Sequence, residues 1–206
     1  MYSIYYCRTR ICGAKLIRIH MQNHQLVPAD LIQLFPNARF IILYRKNVLE
    51  QYLSLKVAEM TDSWGMTNNF KLPSSVPIDR EELAEYCQMV KGYYEGLVQD
   101  PCLKDRSILL DYEELATEAQ AMFDRVIFPF LGLPSTPVSS SLQKQTTKKP
   151  SQIIKNYEEI KDFDREYINF EKDKSKMNGH FQISFSRNGH HAQRVSNVPS
   201  SLSTQP

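Results

Sequence analysis

The sequence predicts an α/β domain with a mostly parallel sheet. Two apolar runs of strand length, "RFIILY" at 39–44 and "SILLDY" at 107–112, have the pattern of parallel strands that are buried on both faces. Apolar residues at helical spacing follow each run. Strands that alternate with helices form a parallel sheet flanked by helices, and 206 residues are enough for one such domain with a tail.

The composition excludes several classes of protein. With 42% apolar and 23% charged residues the chain resembles an ordinary globular protein, and its formal charge of +2 is too small to predict a nucleic-acid surface. No apolar run reaches the roughly 18 residues of a membrane-spanning helix, and the first residues do not form a secretory signal. The default location is therefore the cytoplasm, with a Golgi or membrane-associated location open if an N-terminal part is missing.

The segments around the first apolar run can be assigned from their patterns. Residues 15–20, "KLIRIH", alternate loosely and predict a short strand. Pro28 is expected to open a helical turn that Pro36 ends. Asn47 is a suitable N-cap for a helix with one broad apolar stripe. That stripe consists of Val48, Leu49, Tyr52, Leu53, Val57 and Met60.

Later segments are assigned in the same way. A loop over 61–78 precedes a helix that starts with Asp79 and Glu82 in a capping-box arrangement. The helix after the second run should end near Gly132. We expect a polar loop at 134–150, a last helix at 151–169, a domain over 1–170 and a disordered tail over 171–206, because the tail has no periodicity.

Two cations follow the first apolar run where the strand should end. Arg45 and Lys46 come directly after it, and Ser54 lies eight residues after Lys46, on the helix face that carries Asn47 and Glu50. Open α/β sheets bind ligands beyond the carboxyl ends of their strands, where a helix N-terminus favours anions. Two interpretations stay open here, a phosphate clamp of cations and a hydroxyl, or a pair of solvated charges.

Three segments in order resemble sulfotransferases that use 3′-phosphoadenosine 5′-phosphosulfate (PAPS). "LFPNARFIILYRKNVLEQYLS" resembles their 3′-phosphate-binding segment. "LLDYEELATEAQAMFDRVIFPFLGL" resembles their strand ending in Tyr-Glu-Asp/Glu-Leu with a helix that closes on Phe-Leu-Gly. "SLQKQTTKKPSQIIKNYEEI" resembles the Lys-Gln loop and the Ile-x-Asn-Tyr-Glu-Glu helix of bacterial-type members. The resemblance spans residues 13 to 170 and implies a three-layer domain like that of the P-loop nucleotide hydrolases.

The resemblance also implies a reaction. The family moves a sulfuryl group from PAPS to a hydroxyl or amine acceptor and leaves 3′-phosphoadenosine 5′-phosphate (PAP), and that chemistry requires no metal. Its partners are the nucleotide and the acceptor. By the resemblance, Arg45 or Lys46 would hold the 3′-phosphate together with Ser54. Lys46 stands where the family often has an arginine, which would be the better bidentate partner.

The remaining site residues are carried over in the same way. Tyr112 would lie near the adenine, and Lys144 with Gln145 would close over the phosphate from the C-terminal loop. Arg18-x-His20 resembles the Lys-x-His of the cytosolic branch, which implies His20 as the base that deprotonates the acceptor. The alternatives are a core tyrosine, a solvated lysine in a cationic loop and a structural histidine.

One feature of the family has no counterpart in the sequence. Sulfotransferases hold the 5′-phosphosulfate with a Gly/Ser/Thr-rich loop some tens of residues before "GAKLIRIH", and "MYSIYYCRTRICGA" contains no such loop. We therefore expect a domain that is incomplete at its N-terminus. It would be a sulfotransferase or the truncated remnant of one, or alternatively a non-catalytic relative that binds PAP or a protein partner. An unrelated nucleotide-binding α/β module is a third hypothesis.

The cysteines and histidines predict neither a disulfide framework nor a metal centre. Four cysteines in a chain of this length favour reduced thiols. Cys7, Cys12, His20 and His24 have a spacing like that of a zinc finger, but their central spacer is shorter than the roughly 12 residues that such a finger needs. We therefore predict no metal site.

Overall fold

The computed structural model describes residues 12–64, 72–140, 148–165, 168–170, 173–174 and 177–178. In this part of the chain, strands β1 (Phe40–Tyr44) and β2 (Ser107–Asp111) pair in parallel and form a small sheet. The register places Ile42 opposite Leu109. Both strands coincide with the two apolar runs, so the predicted α/β class with parallel pairing is confirmed.

Helices account for most of the remaining described structure. Two of them are long, and the others span fewer than eight residues. In chain order the α-helices are α1 (Arg18–Asn23), α2 (Pro28–Leu34), α3 (Val48–Thr61), α4 (Arg80–Gln99), α5 (Tyr112–Thr117), α6 (Ala119–Met122), α7 (Phe128–Leu131), α8 (Pro150–Ile153) and α9 (Tyr157–Ile160). Short 3₁₀ turns lie at Pro101–Leu103 and Lys161–Arg165, and a π-helical turn lies at Phe123–Ile127.

Helices pack on both faces of β2 but on only one face of β1. Ile42 and Leu109 point to the face that α4 covers, and Ile108 points to the opposite face, against α6 and α7. On that opposite face the β1 side chains of Ile41 and Leu43 are each 42% exposed. The prediction that the first strand is buried on both faces is therefore wrong, because α6 and α7 cover this face over β2 and leave Ile41 and Leu43 of β1 partly exposed.

The chain before the sheet departs from the predicted strand at 15–20. Residues 12–17 form neither helix nor strand, and α1 begins at Arg18. A strand needs a neighbour for its backbone groups, and the structure pairs none with this segment within its described residues. Helical hydrogen bonds satisfy the backbone from Arg18 onward instead. The helical turn at Pro28 is confirmed, since this proline begins α2.

The start of α3 forms as predicted, but its apolar stripe is shorter. The Asn47 Oδ1 atom accepts the amide hydrogen of Glu50 at 2.9 Å, which confirms the N-cap. The stripe is buried as far as Val57, whereas Met60 is 53% exposed. Met60 lies in the last turn, close to the left-handed Asp62 that ends the helix, so it extends beyond the core.

The capping box predicted for α4 forms only in part. The Asp79 carboxylate accepts the amide hydrogens of Glu81 and Glu82 at 2.8 and 2.9 Å. The Glu82 carboxylate does not return a bond, because it accepts the Tyr52 hydroxyl at 2.8 Å and pairs with Lys56 at 2.9 Å. Burial and this hydrogen bond raise the pKa of Tyr52 to about 12. Glu82 thus links α4 to α3 instead of accepting the backbone amide of Asp79, the second bond of a capping box.

The segment after β2 ends where the sequence predicts, since Gly132 adopts φ 68° and closes α7. The single helix expected at 151–169 is wrong. The Val76 amide donates to the Ile153 carbonyl at 2.8 Å, and the Lys155 amide donates to the Val76 carbonyl at 2.9 Å. This extended pairing interrupts the helix, so only α8, α9 and a 3₁₀ turn form.

Packed structure continues past residue 170. The Asn178 side chain accepts the Leu109 amide hydrogen at 3.0 Å and donates to the Leu109 carbonyl at 2.9 Å. The Ile168 amide donates to the Lys46 carbonyl at 3.0 Å. These contacts hold the described C-terminal residues against both strands. Most of the expected tail over 171–206 lies outside the described residues.

Candidate functional site

The carboxyl ends of β1 and β2 lie side by side because the strands are parallel. The structure therefore brings together Arg45, Lys46 and Tyr112, three of the site residues that the resemblance implies. The Arg45 guanidinium carbon lies 4.7 Å from the centroid of the Tyr112 ring. The Lys46 Nζ atom lies 3.4 Å from the Oδ2 atom of Asp111, the last residue of β2. We call this group of side chains the strand-end site.

Arg45 is held in place on three sides. Its Nη2 atom lies 3.1 Å from the Glu50 Oε2 atom, and its Nε atom lies 3.7 Å from the Glu113 Oε1 atom. The Tyr112 ring packs on the guanidinium plane, a favourable cation–π arrangement. With 17% of its side chain exposed, Arg45 is preorganised at the strand end, but two carboxylates already face its charge.

The start of α3 binds a carboxylate. The Lys46 amide donates to the Glu113 Oε2 atom at 3.0 Å, and the Asn47 amide donates to the Glu113 Oε1 atom at 3.5 Å. These amides belong to the N-cap Asn47 and to the residue before it, next to a helix start that carries partial positive charge. The strand-end site thus has the donors of an anion site, and Glu113 occupies them in this structure.

A fully buried carboxylate lies beneath these groups. The Asp111 Oδ2 atom lies 3.4 Å from the Lys46 Nζ atom and 2.8 Å from the Lys174 Nζ atom, and its Oδ1 atom accepts the Glu114 amide hydrogen at 2.7 Å. Burial alone raises the pKa of Asp111, but the bonds from Lys174 and the Glu114 amide outweigh burial and lower it to about 2. Asp111 therefore stays ionised and anchors both lysines.

Sequence reasoning missed three of these residues as parts of the site. Asp111, Glu113 and Lys174 had no assigned role, although Asp111 lies near the end of the second apolar run and Glu113 follows that run directly. Ligands bind beyond the carboxyl ends of parallel strands, and this principle, which singled out Arg45 after β1, applies equally to the residues that end β2. Lys174 gave no comparable signal, because it lies in a charged stretch without periodicity.

Ser54 lies on α3 and is partly buried. It follows Glu50 by one helical turn and shares its face, and Glu50 contacts Arg45. The described contacts include no hydrogen bond between the Ser54 hydroxyl and either cation. The structure thus places Ser54 one turn beyond the partner of Arg45, and its role toward a phosphate stays a prediction.

His20 lies on the short helix α1, where the sequence predicted a strand. Arg18 of the same helix is close enough to Tyr86 of α4 to lower the pKa of its hydroxyl, although burial has the larger effect and raises it. Arg45 lowers the pKa of the same hydroxyl. The role of His20 as a base stays a prediction.

Several predicted features fall on other parts of the chain. Lys144, Gln145 and Cys7 lie outside the described residues.

Among the residues that are described, the structure groups no three His, Cys, Asp or Glu side chains that could hold a metal ion. Within the same residues, no helix combines the length and apolar character that crossing a membrane requires.

A shallow cleft of about 430 Å³ lies between α2 and the 3₁₀ turn before β2. Its lining includes Gln33, Cys102 and Arg106. Arg106 directly precedes β2, so this cleft lies at the amino end of the strand, opposite the strand-end site. None of the predicted site residues lines the cleft.

Comparison with known protein families gives one match. The sequence model described as "Sulfotransferase family" matches residues 3–137, which is more than half of the 206 residues. The match includes β1, α3, β2 and the strand-end residues from Arg45 to Glu114. Comparisons with curated proteins and with solved structures find no match.

Proposed function

The chain belongs to the sulfotransferase family, and we propose that it binds PAPS at the strand-end site and transfers the sulfuryl group to a hydroxyl or amine. The observation that carries this proposal is the convergence of Arg45, Lys46 and the two backbone amides just before α3 at adjacent parallel strand ends. In the proposal the domain is of the three-layer P-loop type. The acceptor is left open, because no described residue selects one.

The donor set fits a phosphate group. The Lys46 and Asn47 amides and the Arg45 guanidinium face one place, where the Glu113 carboxylate accepts both amides and forms a 3.7 Å ion pair with the guanidinium, and the Lys46 ammonium lies at the neighbouring Asp111. In the proposal Arg45 and Lys46 hold the 3′-phosphate with Ser54, and Lys144 with Gln145 closes over it. When bound, PAPS supplies the activated sulfuryl group.

The remaining residues act around the bound nucleotide. Tyr112 packs on Arg45 and thereby fixes the guanidinium, while its stacking with the adenine stays a prediction. His20 would accept the proton of the acceptor hydroxyl at a ring nitrogen, which makes the oxygen a better nucleophile. Arg45 and Lys46 would fix the nucleotide through its 3′-phosphate, whereas the charge that develops on the 5′-phosphate leaving group would need other donors, which we do not assign.

A second candidate function is nucleotide binding without transfer. The observation that favours it is that carboxylates of the same chain already pair with both cations of the site. Arg45 faces Glu50 and Glu113, and Lys46 faces Asp111. Such a relative would bind PAP or a protein partner. Transfer of radiolabelled sulfate from PAPS to a panel of hydroxyl and amine acceptors separates the two functions, because only the enzyme gives labelled product.

Calorimetric titration with PAP and with adenosine 5′-phosphate tests the site itself. We expect Ser54→Ala to weaken PAP binding by about tenfold or more, the effect of losing one hydrogen bond to a charged group. Ser139→Ala, on an exposed stretch of chain, should leave the affinity unchanged. Equal PAP affinity in wild type and Ser54→Ala would remove Ser54 from the site, and no binding of PAP by the folded protein would contradict the proposed function.

A further inference from the structure

Glu113 occupies the donors to which a phosphate would bind. Its two carboxylate oxygens accept the amides of Lys46 and Asn47 at 3.0 and 3.5 Å, and Arg45 Nε lies 3.7 Å from Oε1. We propose that Glu113 is an internal competitor for the anion, so that its carboxylate must leave the start of α3 before a phosphate group can bind. The identity of that phosphate as part of a nucleotide rests on the proposed function.

Charge and hydrogen bonding make the two occupants exclusive. The Lys46 and Asn47 amides each donate one hydrogen bond, so Glu113 and a phosphate cannot both accept it at full strength. Two anions a few ångströms apart also repel each other strongly where solvent is partly excluded. Binding of a phosphate therefore includes the cost of moving Glu113, and this cost lowers the affinity of the site.

Glu113 can move without leaving a buried charge behind. Its side chain is 36% exposed, so the carboxylate can turn into solvent. Asp111 differs in this respect, because it is fully buried and binds two lysines. Of these two carboxylates at the end of β2, Glu113 is thus the one that can exchange with an external anion.

Positioning of Arg45 is the alternative role for Glu113, and the geometry favours competition. Glu50 contacts Arg45 at 3.1 Å, and the Tyr112 ring packs on the guanidinium, so Arg45 stays in place without Glu113. The separation of 3.7 Å between Arg45 Nε and Glu113 is too long for a hydrogen bond, and this buried Nε has no hydrogen-bond partner in the described structure. A phosphate oxygen could supply that missing bond.

The test follows the amide NMR signals of Lys46 and Asn47 in ¹⁵N-labelled full-length protein during titration with inorganic phosphate. We expect Glu113→Gln to bind phosphate more tightly than wild type, on the order of fivefold, because a like charge beside the anion is removed while the side-chain oxygen remains. The matched control is Glu118→Gln, which removes a carboxylate that is 59% exposed and pairs with Arg125. It should behave like wild type.

Equal or weaker phosphate binding by Glu113→Gln, or no movement of the two amide signals in any variant, overturns the competitor role. Circular dichroism first checks that the variants fold. If Glu113→Gln does not fold, Glu113→Asp is used instead, since its shorter carboxylate cannot reach both amides. A phosphate affinity of Glu113→Asp no higher than that of wild type then overturns the inference.

PAP and adenosine 5′-phosphate separate this inference from the proposed function. Tighter phosphate binding in Glu113→Gln without a preference for PAP means that the competitor role holds and the nucleotide assignment fails. A preference for PAP over adenosine 5′-phosphate, with equal phosphate and PAP affinities in wild type and Glu113→Gln, means the reverse. A higher PAP affinity in Glu113→Gln, with the preference retained, supports both.

Discussion

Arg45 shows how single residues build the strand-end site. Its guanidinium joins the end of β1 to α3 through Glu50 and to the end of β2 through Glu113 and Tyr112. An arginine in this position has a structural role before any ligand binds. Its removal leaves two carboxylates without their partner in a partly buried place.

We therefore predict that Arg45→Met destabilises the protein by about 1–3 kcal/mol, because the loss of one member of a mostly buried ion pair is costly. Urea denaturation followed by circular dichroism measures the change. Lys91→Gln is the control, since Lys91 is 65% exposed and its pair with Glu95 is 4.0 Å long; its effect should stay within about 0.5 kcal/mol. Similar losses for both variants would contradict the preorganised role of Arg45.

Asp111 predicts a specific dependence of stability on pH. Its folded-state pKa is about 2 because Lys174 and the Glu114 amide outweigh burial, whereas an unfolded aspartate has a pKa of about 3.9. A lowered folded pKa contributes stability above the unfolded value, and this contribution, on the order of 2 kcal/mol, is lost as the pH falls from about 4 to 2. Denaturation curves across that range should show the loss in wild type and a smaller loss in Asp111→Asn. Equal slopes for the two proteins would show that Asp111 is not the titrating anchor.

At the scale of elements, the C-terminal chain completes the domain. Residues 153–156 pair with the stretch around Val76, and α9 with its 3₁₀ turn packs on α3. The Asn156 side chain takes the place of a backbone partner, since it accepts from the Ile78 amide at 3.1 Å and donates to the Ile78 carbonyl at 2.8 Å. This segment lies beyond the family match at 3–137, yet it covers part of the core.

Asn156→Ala should thus lower stability by about 1–3 kcal/mol, because two backbone groups of Ile78 lose their hydrogen-bond partner in a partly buried place. Thermal and urea unfolding measure this loss. Asn23→Ala, on the exposed end of α1, provides the comparison and should change little. If both variants unfold like wild type, the C-terminal pairing contributes no stability.

The elements also show how far sequence reasoning reaches. Continuous apolar runs predicted β1 and β2 because burial determines their composition, and Asn47 predicted the start of α3 because its cap is local. The segment 15–20 did not form a strand, because a strand depends on a neighbour, which its own residues do not specify. The pairing near Val76 was missed for the same reason. In the site, Arg45 and Lys46 follow from their place after β1, whereas Glu113 and Lys174 depend on contacts between distant segments.

At the scale of the whole molecule, β1 forms the more exposed edge of the sheet among the residues that the structure describes. In the described part of the chain only β2 pairs with β1, so the opposite edge of β1 meets no strand. Ile41 and Leu43, on the face that α6 and α7 leave open, add an exposed apolar surface beside this edge. An unpaired edge next to apolar side chains favours association between molecules.

We predict that the double variant Ile41→Thr with Leu43→Thr associates less than wild type at high concentration. Threonine keeps the strand propensity and removes apolar surface, so folding should be little affected. Sedimentation velocity over a range of concentrations measures the change, with Leu133→Thr, a comparably exposed leucine outside the sheet, as control. Unchanged association in the double variant would show that the molecules do not associate through the exposed face of β1.

The central claim is that the strand-end site recognises the 3′-phosphate of a PAPS-type nucleotide. Its most direct test is calorimetric titration of the wild-type protein with PAP and with adenosine 5′-phosphate at low and high salt. We predict that PAP binds at least about tenfold more tightly, the effect of one charge-assisted phosphate contact, and that the difference shrinks as salt screens the partly exposed cations. Equal affinities for the two nucleotides, or a preference for PAP that salt does not change, would contradict the claim.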